Sequence, residues 1–144
     1  MSLDGTYDPD NIFAKILRGE IPAVKVLEDD QVLAFMDVFP QARGHTLVIP
    51  KASQARNLLE EDPRTLTVLM TAVQKVARAV REALTPDGIV VQQFNGAPAG
   101  QTIFHLHFHV IPRWEGEAVG RHAAGGMADM EELKALAAQI SAKI

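Results

Sequence analysis

Residues 104–111, Phe-His-Leu-His-Phe-His-Val-Ile, alternate histidine with apolar side chains, and that alternation constrains the fold more than any other feature of the chain. A period of two is the signature of a β-strand with one buried face. Successive side chains on a strand point to opposite sides, so His105, His107 and His109 fall on one face while Leu106, Phe108 and Val110 anchor the other in a core. Imidazole serves as nucleophile, base or metal ligand near neutral pH. Three of them aligned on one rigid strand mark a candidate site.

The other segments supply the frame. Asp10 or Asn11 can cap a short helix carrying Ile12, Phe13, Ile16 and Leu17, which Gly19 ends. Residues 24–27 and 31–36 read as a hairpin turning at Glu28-Asp29-Asp30, and residues 45–49 as a further strand halted by Pro50. Asp62-Pro63 opens the clearest helix, with an acidic cap and proline at the first helical position. Leu66, Leu69, Val73, Val76, Val80 and Leu84 follow at helical spacing, and Thr85-Pro86 stops it. Residues 88–94 are predicted as a strand, 95–100 and 116–126 as loops, and 129–144 as a second amphipathic helix. Short links between strands imply an α+β fold: a mainly antiparallel sheet with one long helix as the crossover.

Composition narrows the class. At 144 residues the chain is expected to form one domain over residues 11–144, preceded by a flexible arm over residues 1–10. With 14 basic and 18 acidic residues the net charge is −4, and no basic stripe is visible. That argues against a nucleic-acid partner and leaves a small nucleotide as the phosphate-bearing ligand to expect. There is no cysteine, which excludes disulfides and thiolate metal sites. The first residues lack a secretory pattern and no apolar run reaches spanning length, so a cytoplasmic protein without a membrane partner is expected.

Three readings of the histidines compete. Structural histidines satisfied by hydrogen bonds are the plainest, but clustered imidazoles repel once protonated. A His-x-His pair begins a zinc site. Positions i and i+4 of a strand, however, lie about 13 Å apart, so His105 and His109 cannot readily share an ion with His107, which leaves only a two-histidine site completed by other ligands. The third reading is nucleophilic catalysis at phosphorus, with His107 attacking and its neighbours positioning the phosphate and the ring. The glycine-rich loop before the strand can bring backbone N–H groups to phosphate oxygens.

The His-φ-His-φ-His-φ-φ pattern, with φ apolar, resembles the histidine-triad superfamily. The resemblance extends through Asn11-Ile-Phe-Ala-Lys-Ile, Gly19-Glu-Ile-Pro, Ala34-Phe-Met-Asp, Pro40-Gln-Ala-Arg-Gly-His-Thr-Leu-Val-Ile-Pro-Lys and the Asn95-Gly to Gly100-Gln-Thr loop, covering roughly residues 11–113. Together these look like the branch of histidine-triad nucleotide-binding proteins. The resemblance implies a homodimer with joined sheets and a hydrolase of purine nucleoside phosphoramidates or related adenylates that works through a nucleotidyl-histidine intermediate. It implies His107 as nucleophile, His109 and His45 as supporting histidines and His105 as the residue that orients the site. Asn95, Gln101 and Thr102 match phosphate-proximal positions, and Asp37 matches the carboxylate that binds the ribose hydroxyls. Ile12, Phe13, Ile16, Phe35 and Val38 match the apolar slot for the base. Many bacterial relatives hold zinc through two cysteines near the first helix. Asn11 and Ala14 stand at those positions here, so no structural zinc, no other metal and no cofactor are expected. Dinucleoside polyphosphate hydrolysis, and nucleotide binding with weak catalysis in a regulatory role, are the alternative functions.

Overall fold

Asn11 starts the first helix, its side chain accepting a hydrogen bond from the Ala14 N–H at 3.0 Å. The helix, α1 (Ile12–Leu17), is short and buries Phe13 and Ala14. The computed structural model describes residues 2–118 and 126–144. A hairpin follows, β1 (Lys25–Glu28) and β2 (Val32–Met36), closed by the Asp29 carboxylate, which accepts from the N–H groups of Gln31 and Val32. β3 is Thr46–Pro50. The long helix α2 (Pro63–Leu84) is capped by Asp62, as its sequence implies. Beyond it come β4 (Gly88–Gln92), a single 3₁₀ turn at Ala97–Ala99, β5 (Phe108–Arg113) and α3 (Met130–Ser141).

The strands form one sheet in the order β1-β2-β3-β5-β4, with every neighbouring pair antiparallel. β3 and β4 both run opposite to β5 and are therefore parallel to each other, which is why a helix as long as α2 is needed between them. The α+β class with one long crossover is the observed architecture.

Side-chain alternation then sorts the sheet's two faces. Val32, Ala34, Met36, Val48, Phe108 and Val110 join Leu69, Val73, Val76 and Val80 of α2 and Leu133, Leu136 and Ile140 of α3 in the main core. Leu33, Phe35, Leu47 and Ile49 point the other way and pack with Phe13 of α1 in a smaller one. β2 and β3 are consequently buried along their whole length. Among the described residues, no helix is long and apolar enough to cross a membrane.

One element departs from its expected span. The alternation predicts a histidine strand over residues 104–111, yet ladder pairing begins only at Phe108, so His109 alone of the three lies in β5. The pairing partners run out first: Val48 is the last β3 residue in register with β5, and β4 ends opposite His109. Beyond them stands Pro50, which has no N–H to donate. Residues 119–125, most of the loop expected over 116–126, lie outside the described residues.

Candidate functional site

The second face of the sheet opens into a cavity of about 540 Å³. Its walls come from α1, the β2–β3 turn, the 94–103 loop and the start of α3, and His107 and His109 line it side by side. Their ring centroids are 5.1 Å apart. Phe13 packs edge-on against His107 at 4.9 Å, and Phe94 lies 5.5 Å from His109.

Hydrogen-bond partners fix the proton on each ring, since a carbonyl can only accept and a backbone N–H can only donate. His107 donates from Nδ1 to the backbone carbonyl of His105 at 2.7 Å, so Nε2 carries the lone pair. His45 accepts at Nδ1 from the Gln41 N–H at 3.0 Å, so its Nε2–H donates to Nδ1 of His109 at 2.9 Å. A neutral His109 then bears its proton on Nε2. His105 donates from Nε2 to the Pro50 carbonyl at 3.0 Å and accepts at Nδ1 from the Tyr7 hydroxyl at 2.6 Å. The His105 ring is fully buried, and desolvation lowers its pKa to about 4; its bond to Pro50 opposes the shift and His107 adds to it. It is neutral across the physiological range.

Asp37 is buried beside these rings. Its Oδ1 accepts from the Phe39 N–H at 2.8 Å and its Oδ2 lies 3.5 Å from Nε2 of His45. Asp37, His45 and His109 are also the group of three side chains, among the described residues, whose ligand atoms come within 4.8 Å of one another. The 2.9 Å bond between the two imidazoles holds a proton that an ion would have to displace, so the closeness is accounted for by hydrogen bonding.

Of the expected site residues, Ile12, Phe13, Ile16, Phe35, Asp37, Val38, Thr102, His107 and His109 all line the cavity. His45 reaches it through His109, and His105 sits behind His107. Asn95 and Gln101, expected near the phosphate, are not among the residues that line the cavity, and their carboxamides bond protein atoms. The Asn95 carboxamide bonds Gln93 and the Leu58 N–H. Gln101 is buried, accepting from the Gly96 N–H and donating to the carbonyls of Arg56 and Ile103. Both shape the loop that presents Gly100 and Thr102 to the cavity. Sequence reasoning missed Phe94, whose position immediately before Asn95-Gly96 was a signal. It also missed Met127 and Met130, which reach the cavity from beyond the loop and carried none.

The first ten residues, expected as a flexible arm, make specific contacts in addition to the Tyr7 bond. The Leu3 carbonyl accepts from the Asn57 carboxamide at 3.0 Å and the Ser2 hydroxyl accepts from the Ala97 N–H at 2.8 Å.

Comparison with known proteins follows the same outline. A crystallised HIT-like protein from Bartonella henselae, described as involved in cell-cycle regulation and carrying an unknown ligand, superposes with a TM-score of 0.89 at 52% identity, over 96% of this chain and 100% of that one. The adenosine 5′-monophosphoramidase of Schizosaccharomyces pombe is 39% identical over 134 residues, 92% of this chain and 97% of the relative. An adenylylsulfatase of Arabidopsis thaliana is 38% identical over 124 residues, 82% of this chain and 62% of the relative. The HIT domain model matches residues 18–116, from the end of α1 to just past β5, and the chain belongs to the HIT domain family.

Proposed function

We propose that the protein hydrolyses purine nucleoside 5′-phosphoramidates or closely related adenylates, with His107 as a covalent nucleophile. The observation that carries this reading is the 2.7 Å bond from Nδ1 of His107 to the His105 carbonyl, which leaves Nε2 as the basic nitrogen of a ring lining the cavity. Nε2 attacks the α-phosphorus and the bond from phosphorus to the leaving group breaks. Water then attacks the same phosphorus, the phosphorus–nitrogen bond to His107 breaks, and the nucleoside monophosphate leaves. Dividing one displacement into two is what a covalent nucleophile contributes.

The surroundings support it. His109, oriented by His45, offers an Nε2–H to a phosphate oxygen or to the departing amine. Asp37 lines the same cavity, and a carboxylate can accept from both hydroxyls of a ribose; Phe13, Ile16, Phe35 and Val38 line it with apolar surface of the kind a purine base packs on. The phosphoramidase and adenylylsulfatase relatives both act on adenylates according to their names, which supports the nucleotide while leaving the group expelled to be measured. We read the assembly as a homodimer: β4 is a sheet edge and exposes Val90 and Val91.

The test is release of AMP from adenosine 5′-phosphoramidate in the presence of EDTA. Wild type should turn over and His107→Ala should lose at least a thousandfold in kcat, on the scale of removing a nucleophile, while still binding AMP. Equal turnover by both proteins would overturn the assignment of His107. No turnover by either, with AMP still bound, would favour a binding role.

A further inference from the structure

Tyr7 lies outside the stretch that matches the family model, yet its hydroxyl reaches the ring behind the candidate nucleophile. We infer that Tyr7 is a positioning residue for His107, acting through His105. The inference deepens the functional reading above and rests on it for its catalytic consequence.

The geometry begins with what the sheet does not do. β5 pairs with β3 only from Phe108 onward, so no ladder holds the backbone of residues 105–107. The carbonyl that orients His107 belongs to that unladdered segment. Bonds outside the strand ladder hold the segment instead. The Leu106 N–H donates to the Ala55 carbonyl at 2.9 Å. The His105 ring donates to the Pro50 carbonyl on one side and accepts the Tyr7 hydroxyl on the other. A ring with both nitrogens engaged cannot turn, and its Cα and carbonyl are held with it. Phe13 completes the clamp, meeting the His105 ring edge-on at 6.2 Å and the His107 ring at 4.9 Å.

Tyr7 is itself secured. On its N-terminal side the arm is fastened at Leu3 to Asn57 and at Ser2 to Ala97. On its C-terminal side Asp8 accepts from Asn11, the cap of α1. The Tyr7 ring packs edge-on against His105 with centroids 5.7 Å apart. The neutrality of His105 agrees with this role, because only an unprotonated Nδ1 can accept from the hydroxyl. Removing the hydroxyl strands a buried acceptor, and the segment gains the freedom to shift the His105 carbonyl away from Nδ1 of His107. An in-line attack is sensitive to displacements of that kind.

The experiment compares the full-length wild type with Tyr7→Phe, which keeps the aromatic ring and removes only the hydroxyl. Kinetics on adenosine 5′-phosphoramidate are combined with nitrogen-15 NMR of the imidazoles. Tyr7→Phe should lower kcat about tenfold with KM within about twofold, and the His107 Nδ1–H signal should broaden or move toward a mixture of tautomers. An unchanged kcat with unchanged His107 resonances would overturn the inference, even if the melting temperature fell. The NMR arm needs no substrate. If wild type proves inactive on the phosphoramidate, the functional reading fails while the His107 resonances still decide whether Tyr7 positions that ring.

Discussion

His105 has nowhere to place a second proton. Its ring is fully buried, Nε2–H is committed to Pro50, and Nδ1 accepts from Tyr7. Burial lowers its pKa to about 4, against 6.5 for the ordinary group. Between those two values the unfolded chain binds a proton that the folded chain does not. Stability is therefore full above about pH 6.5 and declines as pH falls toward 4, by about 3 kcal/mol in all. Urea unfolding at pH 7.5 and 4.5 should show wild type losing about 2 kcal/mol more than His105→Gln, whose side chain does not titrate. Equal losses in the two proteins would place the acid sensitivity elsewhere. The same scale shows what a sequence conceals about polar residues. His105, His107 and His109 are legible as chemistry because few structural needs call for three imidazoles on one strand face, whereas Asp37 and His45 stand out only through the family resemblance. The carboxamides of Asn95 and Gln101 are as well suited to holding a loop as to holding a phosphate, and their partners here are protein atoms.

Elements that carry their own start and stop signals stand where the sequence puts them. Asp62-Pro63 and the helical stripe behind them give α2 from residue 63 to 84, and Asn11 gives α1. β5 starts later than its alternation predicts, because alternation reports which side chains share a face and says nothing of where the neighbouring strands end. A partner's length is a tertiary fact. The turn into β3 shows the converse, a local requirement visible as a single residue. Gly44 adopts φ of +91°, and a Cβ there would press into the Leu84 side chain at the end of α2 and approach Pro112 Cγ at 3.2 Å. Gly44→Ala joins backbone strain to a clash with a buried leucine and should cost about 2 kcal/mol or more. Chemical denaturation measures it directly, and a loss below about 0.5 kcal/mol would show that the turn relaxes freely.

At the scale of the molecule, the candidate site draws on both ends of the chain. The central motif lies between residues 18 and 116, but Tyr7 comes from before that stretch and Met127 and Met130 from after it. Nothing in the spacing of those residues foretold that they would meet, since their proximity follows from how the sheet and α3 pack. The same scale governs assembly. Among the described residues β4 pairs with β5 on one side alone, with Val91 45% exposed and no charged side chain along its length, an arrangement that leaves its other side open to a second strand. Val91→Lys should convert a dimer into a monomer, measured by light scattering at micromolar concentration; a wild type already monomeric there would remove the homodimer reading. The order of strands has a further consequence. β5 lies between β3 and β4 but is made after both, so a chain still on the ribosome and truncated before residue 108 has neither ladder to either neighbour. The paired imidazoles of His45 and His109 come together only when that last strand slots in, so synthesis must pass β5 before the site can assemble.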